Sequence, residues 1–224
     1  MNKLEVCCAD IESVLAAKTS GADRIELCSA LEVGGVTPSH GMITEAIKIF
    51  GKGVFVLIRE RPGDFIYSTL ELEVMKKDIS FAVEAGADGI VLGALTQEKE
   101  VDTAALYYLL EGVSDVEITF HRAFDEVKNP FKALEDIIKT GCKRILTSGL
   151  QAGAELGIPL IKELNDKANS RIIILPGAGV TFKNAEKILK ETGCSEIHAS
   201  AKQSFHDTCI SSEELINKIK KSIS

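Results

Sequence analysis

The sequence predicts an α/β fold, a (β/α)8 TIM barrel, from three observations: eight short apolar segments, helical periodicity between them, and even spacing along the chain. Dividing 224 residues by eight gives 28 per unit, and such barrels typically have ~250 residues in all. An open doubly wound sheet shows the same alternation of strands and helices. The even spacing, and the lack of a glycine-rich fingerprint after the first strand, favour the barrel, so we expect one domain over residues 1–224.

A weak internal repeat locates four of the strands. Each copy has a glycine, a short polar step and an apolar strand, and the copies begin at Gly21, Gly86, Gly141 and Gly193. Each glycine follows a helical pattern and is well placed to end that helix in a left-handed conformation. The other strands are expected at residues 4–8, 54–58, 116–120 and 172–175, because short runs of Val, Ile, Leu and Phe are typical of parallel strands covered by helices.

Helix start signals lie between these strands. The residue types of N-caps occur at Asp10, at Ser68 with Glu71, at Asn129 before Pro130, and at Ser211 with Glu214. We also expect a helix to open near Thr181 or Phe182, directly after the seventh strand.

Composition excludes several classes of function. The net charge of -7 argues against general affinity for nucleic acid or an anionic membrane. Aromatic residues make up 5% with no Trp, which disfavours a surface that stacks bases. No apolar run approaches the ~20 residues of a membrane span, and no Cys-x-x-Cys pair indicates a zinc ribbon. We therefore expect a cytoplasmic protein that binds neither nucleic acid nor membrane.

Alternation along the strands predicts a charged lumen. Apolar residues of each strand suit the helix layer, so the inward set includes Glu5, Glu26, Arg59, Glu117, His121 and His198. Charged groups in a lumen must pair with one another, with water or with a ligand, because burying them unpaired costs several kcal/mol, on the order of the effective desolvation penalty. An ion-pair network that satisfies itself is one interpretation, and a functional site is the other.

The strand ends favour a site at the carboxyl face of the barrel, where enzymes of this fold place their chemistry. Candidate acid–base residues are Glu26, His121, Asp125 and His198. Candidate ligand-binding residues are Glu5, Arg59, Arg61, Ser148, Gly177, Gly179 and Ser200. Among them, the two arginines and the glycine turn suit a small anion. The bland interpretation of Gly177 and Gly179 is a tight turn that allows close helix packing.

Cys7 and Cys28 are expected on the same inward face, near the ends of the first two strands. Adjacent strands lie ~4.8 Å apart, so the two sulfur atoms can meet. Two thiolates select a soft metal, Cu(I) above all. Alternatively, both cysteines are small buried hydrophobic residues.

The sequence resembles the CutC family of copper homeostasis proteins. The resemblance runs from residue 5 to about residue 200 and is carried by residues 5–7, 21–28, 34–39, 58–65, 119–125 and 144–149. Glu60 stands where the family usually has Pro. The resemblance implies a TIM barrel, a cytoplasmic location, self-association into a homo-oligomer, and Cu(I) binding at Cys7 and Cys28.

Two functions are therefore consistent with the sequence. The first is copper homeostasis through Cu(I) bound by Cys7 and Cys28. The alternative is a barrel enzyme that acts on a small anionic metabolite, of which a phosphorylated one is an example, with Arg59 and Arg61 holding the anion and Glu26 or His121 moving protons.

Overall fold

Eight parallel strands form the wall of a nearly closed barrel in the computed structural model, which describes residues 2–205 and 208–224. The strands are β1 Lys3–Cys8, β2 Arg24–Leu27, β3 Val54–Leu57, β4 Gly89–Leu92, β5 Glu117–Phe120, β6 Arg144–Thr147, β7 Ile173–Pro176 and β8 Glu196–Ala199. Each pairs with its sequence neighbour from β1 to β7, and β1 also pairs with β8. This arrangement confirms the predicted TIM-barrel fold.

No backbone ladder joins β7 and β8 in the described part of the chain, although the two strands lie side by side. Gly177, at the end of β7, lies so close to β8 that a Cβ there would be 3.3 Å from the Cβ of His198. The absence of a side chain at this position lets the two strands approach.

Eight helices surround the barrel in the described residues. They are α1 Ile11–Thr19, α2 His40–Phe50, α3 Thr69–Glu84, α4 Thr103–Leu110, α5 Pro130–Lys139, α6 Ile158–Ala168, α7 Ala185–Thr192 and α8 Glu213–Ser222. Short 3-10 helices at Leu31–Val33 and Arg122–Glu126 follow β2 and β5. The outward side chains of the strands, such as Leu4, Val6 and Ile25, pack with the helices into a continuous apolar layer.

Three of the predicted N-caps are confirmed. The Asp10 side chain accepts a hydrogen bond from the backbone of Ser13, and Asn129 caps α5 with Pro130 in the first turn. Ser68 and Glu71 form the expected capping box. The four repeat glycines all have positive φ and end the preceding helices, as expected of glycine in this position.

Two helix starts differ from prediction. Helix α8 has Ser212 rather than Ser211 at its cap position, because Ser211 ends a strand and its backbone N–H donates to the Ser13 hydroxyl. Helix α7 begins at Ala185 rather than near Thr181, because the Asn184 side chain accepts from the backbone of Thr181 and holds that segment in a turn. The expected helix dipole is therefore displaced from the end of β7.

A two-stranded hairpin, β9 Lys202–Phe205 and β10 Thr208–Ser211, follows β8 and had no counterpart in the predicted elements. It places Lys202 at the rim of the barrel mouth.

Candidate functional site

The floor of the lumen is a chain of alternating charges. Glu5 pairs with Arg24, which also donates to Glu196 at 2.7 Å. Arg144 donates to the same Glu196 oxygen at 2.7 Å and pairs with Glu117. Four of these five side chains are nearly fully buried, and each cation has two carboxylate partners. The ion-pair interpretation is therefore correct for the half of the lumen at the amino-terminal ends of the strands.

Sequence reasoning missed three members of this chain: Arg24, Arg144 and Glu196. Each directly precedes the isoleucine of a repeat copy. Alternation puts the residue before that isoleucine on the same inward face as the residue after it. The signal was thus present in the pattern that located the other inward side chains.

Glu5 joins the charged floor to the upper lumen. Its second oxygen lies 2.7 Å from Nδ1 of His198. Burial raises the pKa of Glu5, but the positive charges of Arg24 and His198 outweigh it and lower the pKa to about 2. Because the carboxylate is ionised, it accepts a hydrogen bond from the Nδ1–H group of His198, and this bond fixes the orientation of the imidazole. Glu5 therefore contacts the site through His198.

Cys7, Cys28, Glu26 and His198 meet above this floor. The Sγ atoms of Cys7 and Cys28 are 3.7 Å apart, and the Cys7 Sγ is 3.8 Å from Oε1 of Glu26. Ligand atoms of Cys7, Glu26 and His198 all lie within 4.8 Å of one another. The second Glu26 oxygen, Oε2, is buried and has no hydrogen-bond partner in the described residues. This donor set suits a metal ion.

Proton affinities in this cluster are strongly altered. The hydrogen bond with Cys28, followed by burial, raises the pKa of the Cys7 thiol well above its ordinary value. Burial is the main reason that the pKa of Glu26 rises to about 6. Burial lowers the pKa of His198, but Glu26 and Glu5 outweigh it, so the pKa is raised overall. The cluster therefore holds several protons that a metal ion would displace.

Arg59 and His121 line another part of the lumen. Both are 5% exposed. The Phe65 ring lies beside both, with its centroid 4.9 Å from the Arg59 guanidinium carbon and 4.9 Å from the His121 ring centroid. Burial, together with the positive charge of Arg59, lowers the pKa of His121 to about 3. His121 is consequently neutral near pH 7.

Asp125 organises the exit of β6. Its carboxylate accepts from the Thr147 hydroxyl and from the backbone N–H of Ser148. Arg122 donates to the same carboxylate at 2.8 Å. The Ser148 hydroxyl in turn donates to the Gln151 carbonyl oxygen at 2.6 Å. Asp125 and Ser148 thus hold the loop in place with nearly all of their hydrogen-bonding capacity.

Arg61 is held away from the cavity by its own loop. Its guanidinium pairs with Glu71 and Asp64 and donates to the Ile66 carbonyl oxygen at 2.9 Å. It also lies over the Tyr67 ring, 5.5 Å from the centroid. These contacts fix the segment between β3 and α3.

A cavity of about 530 Å³ opens at the carboxyl end of the barrel. Among the described residues, its lining includes these predicted site residues: Cys7, Glu26, Arg59, His121, Asp125, Gly179, His198 and Ser200. The structure places the other predicted residues behind or beside the lining: Glu5, Cys28, Arg61, Ser148 and Gly177. Sequence reasoning missed Phe65, which lies on the loop between β3 and α3, and Lys202, which begins the unpredicted strand β9. The individual roles of all these residues stay predictions.

Known proteins resemble the chain over most of its length. A model of the CutC family matches residues 2–203. The family protein CutC of Bacteroides thetaiotaomicron is 50% identical over 204 residues, covering 91% of this chain and 82% of that protein. The Homo sapiens copper homeostasis protein cutC homolog is 46% identical over 199 residues, covering 89% of this chain and 73% of that protein.

Solved structures support the same relationship. A CutC structure from Streptococcus agalactiae has a TM-score of 0.85 at 37% identity, covering 89% of this chain and 99% of that chain. A phosphoribosylanthranilate isomerase from Pyrococcus furiosus has a TM-score of 0.65 at 13% identity, which shows the shared fold alone. The comparisons confirm the predicted resemblance and favour the copper-homeostasis hypothesis over the enzyme alternative.

Among residues 2–205 and 208–224, no helix combines the length and apolar character that a membrane span requires.

Proposed function

Because the chain belongs to the CutC family, we propose that it functions in copper homeostasis by binding Cu(I) through Cys7 and Cys28. The observation that carries this proposal is the 3.7 Å separation of the two Sγ atoms inside the barrel. Soft sulfur ligands favour Cu(I) over harder cations. In this role the copper ion is cargo that the protein binds and releases.

The surrounding residues fit a metal ion by their chemistry. Glu26 has one buried oxygen without a partner, and it lies in the same small group as the Cys7 sulfur and a His198 nitrogen. Glu5 accepts a hydrogen bond from Nδ1–H of His198. In the neutral ring, the lone pair that can bind a metal is therefore on Nε2. A carboxylate behind a ligating imidazole is a common arrangement in metal sites because it orients the ring.

The position of the two thiols defines the route of entry. Cys7 lines the cavity, whereas Cys28 is fully buried behind it. An ion that enters through the barrel mouth therefore meets Cys7, Glu26 and His198 before it reaches Cys28.

Glu26 is the first acceptor for the proton that Cys7 must lose. Thiols bind metals as thiolates, so binding releases protons. Glu26 Oε1 is 3.8 Å from the Cys7 Sγ, and with a pKa of about 6 its carboxylate is mostly ionised at pH 7. We expect Cu(I) affinity to rise with pH for this reason.

A cytoplasmic location and self-association into a homo-oligomer follow from the family resemblance and are part of the proposal. The five cysteines whose side chains are described are all free thiols, which suits a reducing compartment. Light scattering on the purified protein measures the self-association.

The direct test is an anaerobic Cu(I) titration against a competing chelator. The variants are Cys7→Ala, Cys28→Ala and the double variant. Loss of a partner behind a ligand typically weakens metal binding about 10–100-fold, so loss of both sulfur ligands should weaken it by at least about 100-fold.

Cys8→Ala is the matched control. Cys8 follows Cys7 directly and is equally buried, but it faces the helix layer. The control should bind copper like the unmodified protein despite a comparable loss of packing. Equal affinity in the unmodified protein and the Cys7→Ala/Cys28→Ala variant would refute the proposal.

A further inference from the structure

Arg59 is a buried cation whose charge no carboxylate balances within the described residues. Its Nη1 donates to the carbonyl oxygens of Val33 at 3.1 Å and Gly35 at 2.9 Å, and its Nη2 donates to that of Gly63 at 2.7 Å. Its Nε has no hydrogen-bond partner among the residues that the structure describes. Carbonyl dipoles hold the guanidinium in place, but they leave its full positive charge in the lumen.

The other two arginines of the lumen show what a balanced cation looks like in this barrel. Arg24 contacts Glu5 and Glu196, and Arg144 contacts Glu196 and Glu117. A buried charge is normally paired or bound to a ligand, since removing it from water is unfavourable. Unlike these two arginines, Arg59 has no carboxylate partner among the described residues, and it lies at the end of the lumen that opens to solvent.

His121 supplies a second unused donor in the same cavity. Its Nδ1 accepts a hydrogen bond from the backbone N–H of Ala123 at 3.2 Å. Because the ring is neutral and Nδ1 is the acceptor, the ring proton is on Nε2. Nε2 is buried and has no partner in the described part of the chain. The Gly93 backbone packs against the ring near Nδ1, since a Cβ at Gly93 would be 2.7 Å from that atom.

Both donors are held rigidly before any ligand arrives. Three carbonyl oxygens hold the Arg59 guanidinium, and Phe65 packs beside both Arg59 and His121. The rim adds Lys202 as a further cation, whereas Arg122 is already paired with Asp125. A preformed positive site at a cavity wall favours an anion that accepts hydrogen bonds.

The size of the cavity determines the class of ligand. A volume of about 530 Å³ lies in the usual range for small-molecule sites, about 300–1,000 Å³, and far exceeds the needs of one metal ion. Leu31, Leu57 and Leu146 add apolar lining. We propose that the cavity binds a small organic oxyanion, whose carboxylate or phosphate group accepts hydrogen bonds from Arg59 and from Nε2 of His121.

The anion donors are different residues from the proposed copper ligands, although Cys7 lines the same cavity as Arg59 and His121. Arg59 has no lone pair for Cu(I) and the Nδ1 lone pair of His121 accepts from Ala123, whereas Cys7 and Cys28 offer no positive charge to an anion. The two proposals are therefore tested apart by using copper-free protein for the anion measurements.

The experiment measures the thermal stability of the copper-free full chain with increasing sodium acetate, inorganic phosphate or sodium chloride at matched ionic strength. A ligand that binds only the folded state raises stability in a saturable way. We expect acetate, phosphate or both to stabilise the protein beyond chloride. The preferred anion identifies the ligand group as a carboxylate or a phosphate.

Three variants locate the effect. Arg59→Met and His121→Phe each remove one donor and keep much of the side-chain volume, so each should raise the dissociation constant of the anion by at least about tenfold. Arg171→Gln is the control, since Arg171 pairs with Glu135 at the exposed surface and lies outside the cavity lining, and its anion response should stay unchanged.

Nitrogen-15 NMR of the unmodified protein gives a readout that does not depend on variant stability. The Nε2–H signal of His121 should shift on addition of the stabilising anion. The proposal is overturned if neither oxyanion stabilises the protein beyond chloride, if the gain survives Arg59→Met or His121→Phe, or if the His121 signal does not move.

Discussion

Replacing Glu5 with Gln tests the charged floor of the lumen most directly. Glu5 pairs with Arg24 through one oxygen and with His198 through the other. The variant keeps the shape of the side chain but removes its charge. Arg24 keeps Glu196, whereas His198 loses the carboxylate that orients it.

The expected magnitude follows from the pKa of Glu5. Burial raises it, Arg24 and His198 outweigh burial, and the result is a decrease from 4.5 to about 2. At ~1.4 kcal/mol for each pKa unit, this corresponds to about 3 kcal/mol of stability at pH 7. The variant should therefore be less stable by about 3 kcal/mol, and its Tm should fall by roughly 6–12 °C for a chain of this size.

The same linkage predicts a pH dependence. A carboxyl whose pKa is lowered by folding stabilises the folded state above its unfolded pKa, and that stability is lost as pH falls from about 4.5 toward 2. The difference between the unmodified protein and Glu5→Gln should shrink to about half by pH 3.

Urea denaturation at pH 7 and pH 3 measures both quantities. Glu135→Gln is the control, because Glu135 pairs with Arg171 in two hydrogen bonds at the solvent-exposed surface. Its loss of stability should be much smaller. A difference for Glu5→Gln that is below about 1 kcal/mol at pH 7, or equal at the two pH values, would refute the reasoning.

Three other substitutions have definite expected outcomes. Burial raises the pKa of Glu26 from 4.5 to about 6, so its ionisation removes stability as pH rises through this interval. From pH 4.5 to pH 7, the free energy of unfolding of Glu26→Gln should rise by about 2 kcal/mol relative to that of the unmodified protein. Urea denaturation at the two pH values measures this, and an equal difference between the two proteins at both would contradict it. Gly89→Ala would place a Cβ 2.3 Å from the Phe55 ring and should cost about 1–3 kcal/mol. Gly41→Ala in α2 has no heavy atom within 4 Å and should be neutral or stabilising by up to about 1 kcal/mol, so similar Tm values for the two alanine variants would show that the lumen tolerates the extra methyl group.

Local pattern predicted most of the barrel. Strand positions follow from short apolar runs, and the inward face follows from strict alternation, because successive side chains of a strand point to opposite faces. Glu5, Cys7, Glu26 and His198 were placed in the lumen on this basis. The capping box at Ser68 was equally predictable, since its hydrogen bonds join residues three apart.

Long-range partners were not predictable in the same way. Arg61 was expected to hold an anion together with Arg59, but its loop folds back so that Glu71 and Asp64 bind its guanidinium. A charge in a loop has no periodicity that reveals its direction. The start of α7 was misplaced for a related reason, because the Asn184 side chain competes for the Thr181 backbone.

The amino-acid sequence by itself thus determined the order of strands and helices, the side chains that face the lumen, and the two cysteines on neighbouring strands. These properties depend on periods of two and 3.6 residues and on contacts close in the chain. Only the tertiary structure decided which charged groups of the lumen pair with one another and which do not. Arg24 and Arg144 meet carboxylates across the strand register, whereas Arg59 lies above that layer, where the described neighbours offer only carbonyl oxygens. Strand register and loop path set those distances, and neither is written in the local pattern of residues.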